Sequence, residues 1–133
     1  MLDGESGIAA IQSFDVSNIP AKIAGIVPNG TRADGGLDLA EWIPVKDQKK
    51  MDRFIQLALV AATEAVEDSG WMPGEDAEEA RCRTGVMIGS GIGGLGTIYD
   101  ASVLVFQGKS RRLSPFFIPS ALINLASGHL SIK

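Results

Sequence analysis

Apolar residues recur at helical spacing in the middle of the chain. Between residues 47 and 69 they return every three or four positions, which places them on one face of a helix. These positions are Met51, Phe54, Ile55, Ala58, Ala61, Ala62 and Ala65. Gly70 stands where a helix end favours glycine, and Pro73 follows soon after it. The pattern therefore predicts one long amphipathic helix over residues 47–69.

Shorter apolar segments before and after this helix have the pattern of strands. Residues 11–14 and 23–27 are predicted as short extended pieces, and residues 84–89 as a buried strand bounded by glycines. Residues 28–36 contain Asn-Gly and Gly-Gly pairs, which accept positive φ, so a surface loop is predicted there.

Two further helices are predicted in the second half of the chain. Residues 97–107 carry Ile98, Ala101 and Val105 on one side. Pro119 is predicted to open another apolar helix that runs toward Leu130, because proline is favoured at a first helical position.

Composition limits the classes of protein that the chain can belong to. It has 133 residues, 45% of them hydrophobic, which is the size and composition of one globular domain. A net charge of −4 disfavours nucleic acid as a partner, and no apolar run reaches the roughly 18 residues of a membrane span. The single cysteine, Cys82, excludes an internal disulfide. A soluble cytoplasmic protein is expected.

A glycine-rich segment follows the predicted strand at residues 84–89. Residues 89–94 match G-x-G-x-x-G, a pattern that can hold a dinucleotide pyrophosphate on backbone amides. The acidic residue expected about twenty positions later is replaced by Gly108 and Lys109. A tight turn whose glycines let backbone segments pack closely is the favoured interpretation. Gly108 and Lys109 do not complete a phosphate loop either, because Val103 occupies the position of its first glycine.

Nucleophile and metal-ligand patterns are missing from the sequence. Cys82 lies between two arginines, which can lower a thiol pKa, but no histidine is near it in sequence. His129 is the only histidine, and one cysteine with one histidine makes no metal site. We therefore predict no catalytic residue, no metal and no cofactor within the chain.

Several segments, in this order and with family-like gaps, resemble the 3-oxoacyl-[acyl-carrier-protein] synthases, in particular the type II elongation enzymes of fatty acid synthesis. The segments are residues 4–8, 13–15, 46–52, 68–70, 85–95, 113–119 and 123–130. The run GVMIGSGIGGL at 85–95 and the run LSPFFIP at 113–119 are the most specific.

The resemblance implies the α/β fold class, in a thiolase-like fold with five αβαβα layers, normally in a homodimer. It also implies decarboxylative condensation of an acyl thioester with malonyl-acyl-carrier protein. Residues 1–133 would be part of the first half, a partial N-terminal domain. The family's opening strand would precede it, and the catalytic Thr-Ala-Cys segment would follow it. The chain alone is therefore expected to be inactive, and Cys82 and His129 match no catalytic position.

Non-catalytic positions of the family also correspond to residues of this chain. Ile92, Phe117 and Ile118 match positions that line the acyl pocket; ordinary core packing is the alternative. The basic residues Lys46, Lys49, Lys50, Arg111 and Arg112 match positions that dock the acidic carrier protein. A solvated face is the alternative there. Docking would account for cations near the start of a predicted helix, where they oppose its dipole.

The sequence alone is compatible with two other functions. The chain could be a non-catalytic decoy subunit that pairs with a complete synthase, or a dinucleotide-binding piece. Because its apolar helices would lack partners, we also expect the isolated chain to be poorly stable or to associate.

Overall fold

A computed structural model describes residues 4–133, which divide into two compact units. The first unit extends to Asp38, and the second is Leu39–Lys133. A small antiparallel sheet lies in the first unit, whereas the second is built from helices. This mixture of helix and sheet agrees with the predicted α/β class. Within residues 4–133, no helix is long and apolar enough to cross a membrane.

The sheet of the first unit consists of strands β1 (Ile8–Ala10) and β2 (Ile23–Gly25), with Ala9 opposite Ala24. The strand predicted at 23–27 is therefore confirmed over its first three residues. At residues 11–14, predicted as a short strand or an extended piece, no strand forms, because β1 lies earlier in the chain. The Asp15 carboxylate accepts hydrogen bonds at 2.9 Å from the backbone N–H and the hydroxyl of Ser17. Such local side-chain bonds to the backbone compete with the hydrogen bonds that pair one strand with another.

The predicted loop at residues 28–36 is confirmed. Gly30 and Gly35 have φ angles of 143° and 72°, which glycine adopts without steric cost. Gly35 ends a short 3₁₀ helix, Arg32–Asp34. The backbone N–H of Leu37 donates to the carbonyl of Pro28 at 2.8 Å and closes the loop.

The predicted helix over residues 47–69 is two helices, α1 (Val45–Gln48) and α2 (Arg53–Ser69). Asp52 is extended, with φ −68° and ψ 162°, and forms the N-cap of α2. The predicted C-terminus is confirmed, since Gly70 is left-handed with a φ of 67°. Residues 46–50 therefore precede α2 and do not lie in its first turn.

The core of the second unit lies between α2 and α6 (Leu125–Ile132). Its buried side chains are Ile43, Ile55, Leu59 and Ala126. The predicted face of α2 is correct at Ile55 but wrong at Ala61 and Ala65, which are exposed. Leu59 is buried instead, one turn after Ile55. Its larger side chain removes more apolar surface from water than an alanine can.

The strand predicted at residues 84–89 is absent from the described part of the chain. The side chain of Met87 is 97% exposed, and only Ile88 packs against the core. No backbone hydrogen bond joins residues 85–92 to another described segment. A strand requires a neighbour for its N–H and C=O groups, and none is present among residues 4–133.

The remaining helices are α3 (Glu78–Cys82), α4 (Leu95–Phe106) and α5 (Phe117–Ala121). The helix predicted at 97–107 is confirmed, although of its predicted face only Ala101 is buried. The helix predicted from Pro119 to Leu130 is wrong, because α5 and α6 are separate and Leu122 between them is extended.

The break between α5 and α6 has a tertiary cause. The carbonyl of Ser120 accepts a hydrogen bond from the backbone N–H of Asp52 at 3.3 Å, and that of Ala121 accepts from Gly94 at 2.9 Å. In a continuous helix these carbonyls would bond to residues four positions ahead. Contacts with two distant segments therefore replace one helical turn.

Candidate functional site

The predicted docking lysines lie on α1 and on the turn that connects it to α2. Lys46, in α1, and Lys49, in the turn, are exposed, whereas Lys50 is half-buried. The Nζ atom of Lys50 lies 2.7 Å from an Asp47 carboxylate oxygen and 5.7 Å from the centroid of the Phe116 ring. Lys50 is therefore held between a carboxylate and an aromatic face, and the other two lysines keep access to solvent.

Two glutamines hold this turn in place. Gln48 Nε2 donates to the carbonyl of Ile43 at 2.8 Å. Gln56 Nε2 donates to the carbonyls of Gln48 and Met51 at 3.0 and 3.2 Å. Sequence reasoning assigned no role to either glutamine. The sequence gives little indication of these roles, because the carbonyls to which a glutamine amide bonds are determined by the tertiary structure.

The electrostatics of the turn favour an ionised Asp47. The hydrogen bond from Lys50 lowers the pKa of the Asp47 carboxyl below its ordinary value of 3.8. The positive charges of Lys50 and Lys46 act in the same direction. Asp47 therefore neutralises Lys50, and Lys46 and Lys49 are left to interact with other molecules.

The predicted docking arginines lie on a different segment. Arg111 and Arg112 are exposed, on a 3₁₀ helix at Ser110–Arg112. Phe116 follows Arg112 by four residues, a reach of at most about 14 Å of chain. Since Lys50 contacts the Phe116 ring, the two basic segments occupy neighbouring parts of one surface. We call Lys46, Lys49, Lys50, Arg111 and Arg112 the basic surface.

The glycine-rich segment contacts α5 at backbone distance. Gly93 has a φ of 81°, and a Cβ atom there would lie 2.6 Å from the carbonyl oxygen of Ala121. At Gly94 a Cβ would lie 2.7 Å from the Cα of Ala121. The prediction of a turn whose glycines permit close packing is thus confirmed at these two positions. Gly89 and Gly91, by contrast, have open space around them.

Asp52 joins three segments at this junction. Its backbone carbonyl accepts from the N–H groups of Ile55 and Gln56 at the start of α2. Its Oδ2 atom accepts a hydrogen bond at 2.8 Å from the backbone N–H of Thr97, in the first turn of α4. A carboxylate at a helix N-terminus satisfies a donor that lacks an intrahelical partner and complements the helix dipole. Its own backbone N–H bonds to Ser120, as described above. Asp52 therefore fixes the glycine turn and α5 relative to α2.

The predicted acyl-pocket residues flank this junction. Ile92 precedes Gly93 and is 66% exposed; Ile118 is 56% exposed, and Phe117 lies beside it in the first turn of α5. None of the three lines the cavity of about 350 Å³ elsewhere in this unit. The three residues therefore lie on the two segments that meet at the Gly94–Ala121 contact.

Groups with catalytic or metal-binding potential are not assembled in the described part of the chain. Cys82 is exposed at the end of α3, and no hydrogen-bonding partner for it occurs among residues 4–133. His129 lies in α6. No cluster of three or more His, Cys, Asp or Glu side chains in that range could hold a metal ion.

Comparison with known proteins matches the whole chain to the family that its sequence segments resemble. The family model of the beta-ketoacyl synthase N-terminal domain matches residues 1–133. A 3-oxoacyl-[acyl-carrier-protein] synthase 2 from Rhizobium meliloti is 44% identical over 133 residues, which are 100% of this chain and 31% of that protein. The synthase 2 of Vibrio harveyi is 41% identical over 132 residues, or 99% of this chain and 29% of that protein.

A mitochondrial 3-oxoacyl-[acyl-carrier-protein] synthase of Arabidopsis thaliana is 41% identical over 147 residues, covering 100% of this chain and 31% of that protein. The chain thus spans less than a third of the length of these relatives. The match to the family model extends over every residue, and the glycine turn and the α5 segment that carried the resemblance pack against each other. The chain therefore belongs to the beta-ketoacyl synthase family, whose N-terminal domain it matches.

Proposed function

We propose that this chain supplies a region of a 3-oxoacyl-[acyl-carrier-protein] synthase that elongates fatty acids. The reaction is the decarboxylative condensation of an acyl thioester with malonyl-acyl-carrier protein. The observation that carries the proposal is the match of the whole chain to relatives named 3-oxoacyl-[acyl-carrier-protein] synthase 2, at 41–44% identity. In the complete enzyme this region would be part of the first half of the layered αβαβα fold.

The basic surface is proposed to dock the acidic carrier protein. Both of its arginines are exposed, and the Lys50–Phe116 contact keeps its two segments adjacent. The chain as a whole is acidic, with a net charge of −4, so a local cluster of cations is the feature that would attract an acidic partner. Charges of this kind steer the encounter and raise the association rate more than they raise affinity.

Ile92, Phe117 and Ile118 are proposed to form part of the acyl-pocket wall. All three are apolar, and at least half of the surface of Ile92 and of Ile118 is available for contact. An acyl tail requires a dry apolar slot, and the bulk at its end discriminates chain length by about 1–3 kcal/mol per methylene. Further polypeptide, or a second subunit in a homodimer, would complete the enclosure.

No catalytic role is assigned to Cys82 or His129. Covalent acyl transfer requires an activated thiol, and Cys82 is exposed at the end of α3, with no hydrogen bond to its sulfur among residues 4–133. The chain by itself is therefore proposed to be inactive, without cofactor or metal. The complete enzyme would act in the cytoplasm, with acyl carrier protein as its partner and without nucleic acid or membrane contacts.

Charge reversal on the basic surface tests the docking proposal. Lys49→Glu with Arg111→Glu in the full-length enzyme should lower the association rate with acyl carrier protein by about tenfold at low salt, since steering depends on surface charge. The difference should shrink as salt rises, because exposed charges are screened. Surface plasmon resonance over a salt series measures both effects.

Arg83→Glu is the matched control. Arg83 is an exposed arginine on another segment, and it forms a loose ion pair with Glu79 at 3.7 Å. The control should leave carrier-protein binding unchanged. Equal loss in both variants, or unchanged binding in the double variant at low salt, would contradict docking at the basic surface.

A further inference from the structure

The first turn of α4 is capped by a residue from another helix. Gly94 occupies the N-cap position of α4 and has no side-chain oxygen to accept from the first N–H groups of the helix. The N–H of Thr97, the third residue of α4, donates instead to Asp52 Oδ2 at 2.8 Å. Asp52 is the N-cap residue of α2, yet in the described structure its carboxylate makes no capping bond to α2. The side chain of Asp52 therefore serves α4.

The lack of a side chain at Gly94 makes room for this carboxylate. A Cβ atom at Gly94 would lie 3.0 Å from Asp52 Oδ2, and one at Gly96 would lie 3.6 Å from the same atom. Gly94 has a φ of −80°, which most residues adopt readily. Glycine is therefore needed at position 94 for space, and the Asp52 carboxylate packs against the glycine turn as well as bonding to α4.

Asp52 is also bonded to the segment that carries the other part of the proposed acyl-pocket wall. Its backbone N–H donates to the carbonyl of Ser120 at 3.3 Å. Ser120 follows Ile118 by two residues, and Gly94 follows Ile92 by two residues. Each of these pocket residues is thus within about 7 Å of chain of a position that contacts Asp52. The common support is α2, a helix of 17 residues.

We propose that Asp52 is a positioning residue that sets how strictly the synthase discriminates acyl chain length. It would hold Ile92 through its side chain and the Phe117–Ile118 pair through its backbone, without contacting the acyl tail. A pocket wall can reject an additional methylene only if its parts are held to within about 0.5 Å of their places. The inference rests on the proposed function, because it requires that these three residues border the acyl pocket.

Asp52→Ser in the full-length enzyme separates the two connections. Serine retains the backbone N–H that bonds to Ser120 and a hydroxyl that can cap α2, but it is one bond too short to reach Thr97. We expect the ratio of kcat/KM between the best and the poorest substrate in a chain-length series of acyl-carrier proteins to fall by about tenfold. Competition between these two substrates measures the ratio directly.

Asp52→Asn is the conservative match for this variant. Its amide oxygen can still accept from Thr97, and asparagine caps helices about as well as aspartate, so the ratio should stay within about twofold of the parent. Asp52→Glu retains the charge but moves the carboxylate by one bond toward Gly94. It should lower the ratio as the serine variant does, which keeps the test valid if that variant does not fold.

Val60→Ala controls for a general loss of stability. Val60 is buried in the same helix, about 12 Å further along it than Asp52. Truncating this side chain should lower the Tm, because buried apolar surface is lost. It should leave the chain-length ratio unchanged, because neither connection of Asp52 is altered.

Three results would overturn the proposal. They are an unchanged ratio in both Asp52→Ser and Asp52→Glu, an equal fall in Val60→Ala, or a fall in Asp52→Asn as large as that in Asp52→Ser. Ile92→Ala tests the premise separately. If this variant leaves the chain-length preference unchanged, the assignment of the acyl pocket fails; if it alters the preference while the Asp52 variants do not, only the positioning role fails.

Discussion

At the scale of single residues, the side chains that organise the site are mostly polar groups bonded to distant backbone. Asp52 accepts from Thr97, and Gln56 donates to the carbonyls of Gln48 and Met51. The first of these bonds satisfies an N–H group in the first turn of α4 that has no acceptor within its own helix. These residues hold the basic surface and the glycine turn in place without belonging to either.

Asp47→Asn should change how stability depends on pH. The pKa of Asp47 is lowered in the folded protein, so its ionised form stabilises the fold above the unfolded-state pKa, and this contribution is lost as pH falls through the folded-state pKa. The parent should therefore exceed the variant in free energy of unfolding by a constant amount at about pH 6. This difference should decrease once the pH falls below 3.8, the ordinary pKa of the carboxyl. Urea unfolding across this range measures it.

Lys50→Met provides the control background. It removes the main cause of the lowered pKa, which is the hydrogen bond from Lys50. The effect of Asp47→Asn on the free energy of unfolding should then depend less on pH. An unchanged pH dependence in the Lys50→Met background would show that the Asp47–Lys50 pair is not its source.

Sequence reasoning is most successful where a residue's role is local. The left-handed glycines at Gly30, Gly35 and Gly70 follow from turn and cap preferences alone. The bond from Thr97 to Asp52 spans 45 residues. Nothing in the neighbouring sequence of either residue reveals it, because the same aspartate also satisfies the ordinary N-cap pattern of α2.

At the scale of elements, the two errors in helix prediction share one cause. Periodicity continues through residues 49–52 and 122–124, but the backbone does not. At both breaks backbone groups bond to other segments, including the pair between Asp52 and Ser120. The spacing of hydrophobic residues predicts which face of a helix is apolar. It does not predict which backbone carbonyls will accept hydrogen bonds from another segment. Residues 84–89 differ, since their pattern requires a neighbouring strand that is absent from residues 4–133.

Gly94→Ala should destabilise the second unit by about 1–3 kcal/mol, as is typical when an extra methyl is forced into a packed contact. The backbone of Gly94 has a φ of −80°, which alanine adopts readily. The cost is therefore steric: the new Cβ would lie 2.7 Å from the Cα of Ala121 and 3.0 Å from Asp52 Oδ2. Chemical denaturation compares the variant with the parent.

Gly89→Ala is the matched control for this substitution. It adds the same methyl group where nothing lies within 4 Å. It should change the free energy of unfolding by no more than about 0.5 kcal/mol, as is usual for surface changes. Similar losses in both variants would mean that the close contact with α5 does not form.

At the scale of the whole molecule, many large apolar side chains are left in water. Helix α4 shows this most clearly: Phe106 is 93% exposed and Tyr99 67%, and Leu95, Ile98 and Val105 are exposed as well. The buried side of the same helix consists of little more than Ala101. Contiguous apolar surface of this kind is typical of an interface with other polypeptide.

The isolated chain should therefore associate. We expect the sedimentation coefficient to rise with protein concentration, and Phe106→Ser with Tyr99→Ser to reduce this rise by removing apolar area from α4. Phe14→Ser, at an exposed phenylalanine in the first unit, should have a smaller effect. A monomer at all concentrations that melts cooperatively would contradict the expectation.

The hydrogen bond between Thr97 and Asp52 has a consequence for exchange with solvent. An amide in the first turn of a helix normally exchanges its proton quickly, because it has no acceptor within the helix. Here the acceptor is the side chain of Asp52, the N-cap residue of α2. The amide proton of Thr97 is therefore protected only while the start of α4 remains in contact with the start of α2. Its deuterium uptake therefore reports the opening of the junction between the glycine turn, α5 and α2 from a single backbone position.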